Sequence, residues 1–301
     1  MAGSLRNPPP VLVFAVAVLG IAVFSLMDAV MKGLTIAIGA YTAIFWRSLA
    51  SVIVSGVPYF ASRPAKPSRA GIRFHLIRGA ISPLMAVTFF WGMARIPMAQ
   101  AVALSFIAPL MSLFLAAVML GERLTPSTIG GSLSALAGVG VILYGQWQSD
   151  MGPEALQGAA AVLFSAACYA FNIVLMRQQA LLAGPLEVAF SQSVVVSIVM
   201  LIGAPFLADL PDMHHVPMIA LAALLAVISL FLLAWAYARG QASYLVSSEY
   251  TAFIWAAFYG WLFFAEHVAL PTLLGAGLIV AGCVIAARQR PIDTGGIEVG
   301  L

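Results

Sequence analysis

The sequence Trp91-Gly92-Met93-Ala94-Arg95 returns 144 residues later as Trp235-Ala236-Tyr237-Ala238-Arg239, which indicates an internal repeat. The alignment runs without a gap to Gly138 and pairs Glu122 with Glu266. Matches between small apolar residues mean little in this composition, whereas Trp, Arg and Glu are rare here and therefore informative. The repeat predicts two related halves and a short tail, at residues 1–148, 149–290 and 291–301.

The composition around the repeat is that of a membrane protein. The chain has 301 residues, of which 62% are hydrophobic and 8% charged, and its mean hydropathy is +1.03. Soluble domains carry about 25% charged residues, and a soluble fold of this size could not bury so much apolar surface. The apolar runs are continuous rather than alternating, so they predict helices rather than the strands of a barrel.

Ten apolar runs are long enough to cross the membrane, since about 20 apolar residues span the hydrocarbon core. The first run continues past Met27 and is too long for a signal-peptide core, so we expect it to be retained. The predicted spans lie near residues 10–33, 40–61, 72–94, 97–120, 126–146, 155–177, 185–207, 215–238, 241–264 and 270–288.

The distribution of Lys and Arg predicts the orientation of these spans. With a cytoplasmic N-terminus, eleven of the 14 basic residues fall on inner loops or flanks. Lys32 and Arg95 fall on outer flanks, and Arg47 lies within the second span. Both termini are therefore predicted to be cytoplasmic. Because each half has an odd number of spans, the second half must enter the membrane inverted.

Inverted repeats are a common design of secondary transporters, which bind substrate near the midplane between the two repeats. A glycine loop for phosphate binding is missing from the sequence, so no ATP-driven motor is predicted. The sequence also has no HExxH motif and no Cys/His metal spacing, and we expect no enzyme activity, cofactor or metal. The net charge of +3 gives no reason to expect a nucleic-acid partner.

The motifs resemble the EamA-type ten-helix branch of the drug/metabolite transporter superfamily over nearly the whole chain. The resemblance rests on Ala94-Arg95 with Pro97, on the run Gly121-Glu122-Arg123-Leu124-Thr125, and on a weaker second copy at Ala265-Glu266-His267. The chain is most similar to YddG-type exporters of amino acids, including aromatic ones. The resemblance implies helices around a central cavity, with the fifth and tenth outside it, and export across a bacterial inner membrane.

Polar residues within the spans are costly in lipid and are the main candidates for function. Glu249 lies in the ninth span and is predicted to bind a substrate ammonium or a coupling proton, unless it forms a structural salt bridge. The other predicted cavity residues are Ser248, Tyr250, Ser105, Tyr169, Asn172 and Trp46.

Three charged residues near the outer side are candidates for a gate or an ion pair. Asp28 and Lys32 are four residues apart and could pair within one helix. Arg47 lies at a similar depth, so a pair between Asp28 and Arg47 is the alternative. Asn172 aligns with Asp28 in the repeat, which suggests gates at mirrored depths in the two halves.

Prolines and small residues predict features of individual helices. Pro109, near the middle of the fourth span, frees the carbonyl of Ser105, and Pro83 is expected to kink the third span in the same way. Small residues spaced four apart predict close packing of the fifth and tenth helices. These pairs are Gly131/Ala135, Ser134/Gly138 and Gly277/Ala281.

We therefore predict an all-α transporter that exports amino acids or similar small zwitterions by alternating access. The alternatives are other metabolites or drugs, such as S-adenosylmethionine, a sugar or a nucleobase. The lipid bilayer and a small-molecule substrate are the expected partners. One chain contains both halves, so a monomer is compatible with this prediction.

Overall fold

The computed structural model describes residues 9–62, 67–120, 126–147, 152–180, 182–237, 239, 245 and 248–287. Within these residues lie eleven α-helices and one 3₁₀ turn, Met213–His215. The helices are α1 Pro10–Ile38, α2 Ala40–Ala61, α3 Arg69–Met93, α4 Met98–Ser105, α5 Ala108–Leu120, α6 Pro126–Trp147, α7 Gly152–Ala180, α8 Pro185–Leu207, α9 Val216–Tyr237, α10 Thr251–Phe264 and α11 Leu270–Ala287.

Six of the helices are long and apolar enough to cross a membrane. They are α1, α2, α3, α7, α8 and α9, and shorter apolar helices occupy the remaining predicted spans. Large apolar side chains cover the outside of the bundle, as Val57, Ile202 and Phe206 illustrate with exposed fractions of 68%, 76% and 88%. A soluble protein would not present so much contiguous apolar surface to water. These features describe a multi-pass helical membrane protein.

The predicted fourth span, 97–120, is not one continuous helix. α4 ends at Ser105, and α5 begins at Ala108. Pro109 has no N–H to donate to the Ser105 carbonyl, so the ladder of hydrogen bonds breaks there. The chain tightens into turns in which Phe106 N donates to Ala103 O at 3.2 Å and Ile107 N to Leu104 O at 3.4 Å.

The principal helix contacts join the first half of the chain to the second. The pairs are α6 with α11, α3 with α7, α1 with α9, and α2 with α8. Under the 144-residue repeat, α6 corresponds to α11 and α2 to α8, so these two pairs each bring a helix against its own equivalent. The α3/α7 and α1/α9 pairs correspond to each other. The bundle is therefore organised about an approximate two-fold relation between the halves.

The α6/α11 contact shows this relation residue by residue. A Cβ on Gly138 would lie 2.5 Å from the carbonyl oxygen of Gly275, and a Cβ on Gly282 would lie 2.3 Å from that of Gly131. The numbers rise in α6 as they fall in α11, so the two helices run antiparallel. Ser134 Oγ donates to the carbonyl of Leu278, its own repeat equivalent, at 2.9 Å.

The prediction of close packing by small residues is confirmed for α6, where Gly131, Ser134 and Gly138 all contact α11. It is wrong for Gly277 in α11, because a Cβ on Gly277 would have no atom within 4 Å. α11 uses Gly275 and Gly282 instead. These two lie seven residues apart, which is two helical turns and therefore the same face.

The Trp/Arg motif that reveals the repeat adopts the same local structure in both copies. The guanidinium of Arg95 lies 3.5 Å from the ring centre of Trp91 and donates to its carbonyl at 2.9 Å. Arg239 stacks on Trp235 at 4.6 Å and donates to its carbonyl at 3.3 Å. The repeat is thus present in the side-chain contacts as well as in the sequence.

The two copies of this motif lie at opposite ends of α1. Ala236 packs against Val13 near the start of that helix. Ile96, next to the first copy, accepts a hydrogen bond from Lys32 near its end. Val13 and Lys32 are 19 residues apart, a separation of about 28 Å along a helix axis.

Candidate functional site

A chain of polar side chains joins α3, α7 and α8 on the side of the bundle where α3 and α8 begin. His75 Nε2 lies 3.0 Å from Glu187 Oε1, and His75 Nδ1 lies 2.6 Å from Gln179 Nε2. Farther along α3, Asn172 Nδ2 donates to Ser82 Oγ at 3.1 Å. Gln192 donates to the same hydroxyl. Pro83, next to Ser82, has no N–H to donate within α3. The network therefore includes a residue next to a missing backbone hydrogen bond of α3.

Arg78 is the centre of this network. Its Nε donates to Asn172 Oδ1 at 2.8 Å, and its Nη1 donates to Gln179 Oε1. Arg78 lies nine residues into α3, which corresponds to about 14 Å along the axis. The guanidinium is thus well inside the bundle, although the sequence counts it among the basic residues of an inner flank.

Tyr169 is the exposed member of the α7 face that contributes to this network. On α7 it shares a face with Ser165, whose Oγ donates to Met85 O at 2.8 Å, and with Asn172. Ser165 and Asn172 are 3% and 2% exposed, whereas Tyr169 is 41% exposed. Its neighbours on that face pack against α3, whereas part of Tyr169 is left uncovered by the described residues.

Glu249 and Arg78 both lie close enough to Tyr169 to act on it electrostatically. Glu249 is exposed and comes just before α10, next to Tyr250. The structure therefore brings together the predicted residues Glu249, Tyr169 and Asn172, and it adds Arg78 to them. These four residues form the interior polar site.

A second polar cluster lies at the opposite end of the bundle. Lys32 Nζ forms an ion pair with Glu266 and donates to Ile96 O at 2.8 Å. The other carboxylate oxygen of Glu266 accepts from Met98 N at 2.7 Å, and the Phe264 ring centre lies 5.2 Å from the ammonium. Lys32 is thus paired with Glu266, not with Asp28 one turn away. The cluster ties α1 to α4 and to the end of α10.

Asp28 and Arg47 interact with each other electrostatically across α1 and α2. Asp28 is 5% exposed. The Nε of Arg47 is buried without a hydrogen-bond partner within the described structure. The structure therefore places Asp28 with Arg47 and Lys32 with Glu266, so the three predicted gate residues divide between two clusters.

The other predicted cavity residues direct their polar atoms or rings to other partners. Ser248 is fully buried and donates to Leu245 O at 2.6 Å, so its hydroxyl is engaged with its own turn. Ser105 Oγ donates to Ala101 O at 2.9 Å within α4. Tyr250 packs edge-on against Phe106 at 5.7 Å. Their contacts do not include Arg78 or Tyr169.

Trp46 belongs to the end of the bundle at which α8 ends. Its indole N–H donates to Asp209 O at 2.9 Å, in the segment that follows α8. The sequence predicts that Trp46 lies deep within the second span. The contact with Asp209 instead places its indole near the end of the bundle. The indole thus ties α2 to the chain between α8 and α9.

The sequence did not predict four members of the hydrogen-bonded network of α3, α7 and α8. They are Arg78, Gln179, Gln192 and Glu187. Gln179 is fully buried, but it lies near the end of α7, where polar residues are ordinary. A signal for Gln192 was available, because an amide inside an apolar helix is costly unless it is hydrogen-bonded. No sequence pattern connects these residues to Arg78.

The long apolar helices, the contacts between the two halves and the polar groups enclosed among them define a multi-pass membrane protein of the transporter class. The family model described as the EamA-like transporter family matches residues 11–144 and again 156–288. The chain belongs to this family, and so to the drug/metabolite transporter superfamily.

Characterised relatives are transporters and exporters. The chain is 27% identical to the pseudopaline exporter of Pseudomonas aeruginosa over 280 residues, covering 91% of this chain and 95% of the relative. It is 26% identical to a riboflavin transporter of Rhizobium johnstonii, covering 89% and 88%. A stretch of 52 residues is 48% identical to a probable terminal-alkyne amino-acid exporter of Streptantibioticus cattleyicolor, covering 17% and 18%.

A solved crystal structure of 20% sequence identity superposes with a TM-score of 0.59. The superposition covers 95% of this chain and 100% of the other. At this identity the likeness concerns the fold alone, and it agrees with membership of the family.

Proposed function

We propose that this protein is a secondary transporter that exports amino acids or similar small zwitterions across the bacterial inner membrane. The observation that carries the proposal is the interior polar site. Asn172 of the second half accepts a hydrogen bond from Arg78 of the first half, and Tyr169, one turn away on α7, lies within electrostatic reach of Arg78 and Glu249. Opposite charges at the junction of two halves suit a substrate that carries both an ammonium and a carboxylate.

The proposal includes ten transmembrane helices in two inverted halves, residues 1–148 and 149–290, with both termini in the cytoplasm. Two observations support the inversion: the antiparallel packing of α6 on α11, and the Trp/Arg motifs at opposite ends of α1. The bias of Lys and Arg supports the orientation. Two similar halves of opposite direction allow two similar packings open to opposite sides, which alternating access requires.

Lys32 and Glu266 are proposed to form the outer gate. Their ion pair joins α1 to the end of α10, and Glu266 also holds the start of α4 through Met98 N. All three segments would have to separate for substrate to leave outward. The positive-inside orientation puts this cluster on the periplasmic side.

Glu249 is proposed to bind the ammonium of the substrate. Counterflow of a mixture of radiolabelled amino acids into proteoliposomes tests the proposal. We expect the wild-type protein to accumulate at least one amino acid and Glu249→Gln to lose this uptake, because the amide cannot neutralise an ammonium.

Glu154→Gln is the matched control, because Glu154 is an exposed carboxylate at the start of α7. We expect it to transport like the wild type. Wild-type uptake by Glu249→Gln would remove Glu249 from the site, and no amino-acid uptake by the wild type would refute the proposed substrate class.

A second candidate is transport of another metabolite, favoured by the similarity to a riboflavin transporter over most of both chains. S-adenosylmethionine, a sugar, a nucleobase or a drug also belongs to this alternative. A panel containing riboflavin and these compounds, run in the same liposomes, separates the two candidates. Uptake of riboflavin without uptake of amino acids would favour the alternative.

A further inference from the structure

Arg78 is a cation whose hydrogen-bonded partners are neutral. Asn172 and Gln179 accept from two of its N–H groups through their amide oxygens. These bonds orient the guanidinium but do not neutralise its charge. Within the described part of the chain, no carboxylate lies within ion-pair distance of Arg78.

The carboxylate of this network, Glu187, is engaged with His75 rather than with Arg78. Glu187 lies 3.0 Å from His75 Nε2, at the end of the same hydrogen-bonded network nearest the starts of α3 and α8. Gln179 separates His75 from Arg78. A charged side chain inside a membrane domain is costly and is usually paired or turned toward a watery cavity that conducts a substrate. Arg78 is therefore arranged to receive an anion from outside the protein.

The guanidinium retains donors for such an anion. It has five N–H donors in a planar fork, and the two amides engage two of them. A carboxylate is the anion that this geometry fits best, because it can accept two parallel hydrogen bonds. Tyr169, which is 41% exposed and lies within electrostatic range of Arg78, offers an uncovered aromatic surface near the fork.

We propose that Arg78 binds the carboxylate of the exported zwitterion, with Asn172 and Gln179 as positioning residues that hold its guanidinium. Arg78 and Glu249 both lie within electrostatic range of Tyr169, so the ammonium of the same molecule would lie toward Glu249. This inference rests on the proposed function and narrows it to metabolites that carry both charged groups. Amines without a carboxylate would bind poorly.

Comparison of L-phenylalanine with L-phenylalaninamide, which lacks the carboxylate, tests this inference in proteoliposomes. Each other amino acid that the wild type accumulates is paired with its amide in the same way. Loss of a charge-assisted hydrogen bond corresponds to about ten- to one-hundred-fold in affinity. We therefore expect the wild type to prefer each acid over its amide by about this factor, and Arg78→Gln to lose the preference.

Arg73→Gln is the matched control, because Arg73 is an exposed arginine on the same helix. It should keep the wild-type preference for the acid. Arg78→Lys should keep part of it, since an ammonium retains the charge but not the planar fork. The ratio of acid to amide is measured within each variant, so a lower yield of folded protein does not change it.

The outcomes separate the two proposals. If the wild type accumulates amino acids and Arg78→Gln still prefers the acid, the role of Arg78 is refuted while the proposed function stands. If Arg78→Gln weakens acid and amide equally, Arg78 is structural and the inference fails. If the wild type accumulates no amino acid, the proposed function itself fails.

Discussion

Lys32 and Glu266 show how single residues hold together the end of the bundle opposite the start of α3. The side chains are 3% and 17% exposed, so both charges have lost most of their water. Removal of one partner from a buried pair leaves an uncompensated charge and costs about 3–5 kcal/mol, whereas replacing both with uncharged residues costs much less. The ammonium also donates to Ile96 O, which does not offset its charge.

We therefore expect Glu266→Gln to be less stable than the double variant Lys32→Met/Glu266→Gln. The single change leaves Lys32 charged and buried, and the double change removes both charges. Melting temperatures in detergent, measured by size-exclusion chromatography after heating, make the comparison. A double variant that melts below Glu266→Gln would show that the pair is not coupled in this way.

The sequence identified some of the polar residues but not their partners. Glu249 stands out because a carboxylate within an apolar run is itself a signal. Arg78 does not stand out, because an arginine near a span end is ordinary under the positive-inside rule. Its partner Asn172 is 94 residues away, and Glu266 is 234 residues from Lys32. Such partners depend on which helix faces meet, and one sequence does not contain that information.

At the scale of elements, the contact between α6 and α11 depends on the absence of side chains. Gly138 and Gly275 bring backbone against backbone, since a Cβ on either would lie 2.5 Å from the carbonyl of the other. Without a hydrophobic drive between helices in lipid, such close approach is the main source of their attraction. Gly140 lies two residues further along α6, and a Cβ on it would have no atom within 4 Å.

Gly138→Ala should therefore destabilise the protein, and Gly140→Ala should not. Overpacking of a close contact costs about 1–3 kcal/mol, whereas alanine in an open helical position is neutral or favourable by roughly 0.5–1 kcal/mol. Both variants change the same helix by the same methyl group, and their melting temperatures in detergent are compared. Equal melting temperatures would contradict the structural role of the contact.

The sequence predicted where the fourth span breaks, but not which tertiary contacts form at the break. Pro109 identified the place where the helical hydrogen bonds fail. The prediction put the freed carbonyl at Ser105, and the structure adds a contact at Phe106, whose carbonyl accepts from Cys283 Sγ at 3.3 Å. That partner belongs to α11, 177 residues away. Local chemistry thus predicts the break, and tertiary packing determines which donors bind the carbonyl groups there.

At the scale of the whole molecule, the proposed transport mechanism requires two halves that face opposite ways. The repeat and the odd number of predicted spans in each half led to that prediction from sequence alone. The structure adds which helices meet: α6 with its equivalent α11, and α2 with its equivalent α8. The sequence could not supply these pairs, because a repeat specifies that two copies are alike and not how they pack.

Cysteine labelling at Arg95 and Arg239 tests the inverted arrangement most directly. Arg95→Cys and Arg239→Cys are made separately in a chain whose own thiols are removed by Cys168→Ala and Cys283→Ala. If the halves are inverted, a membrane-impermeant maleimide labels Arg95→Cys in intact cells and labels Arg239→Cys only after the membrane is opened. Labelling of both positions from the same side would contradict the inverted halves and the transport mechanism built on them.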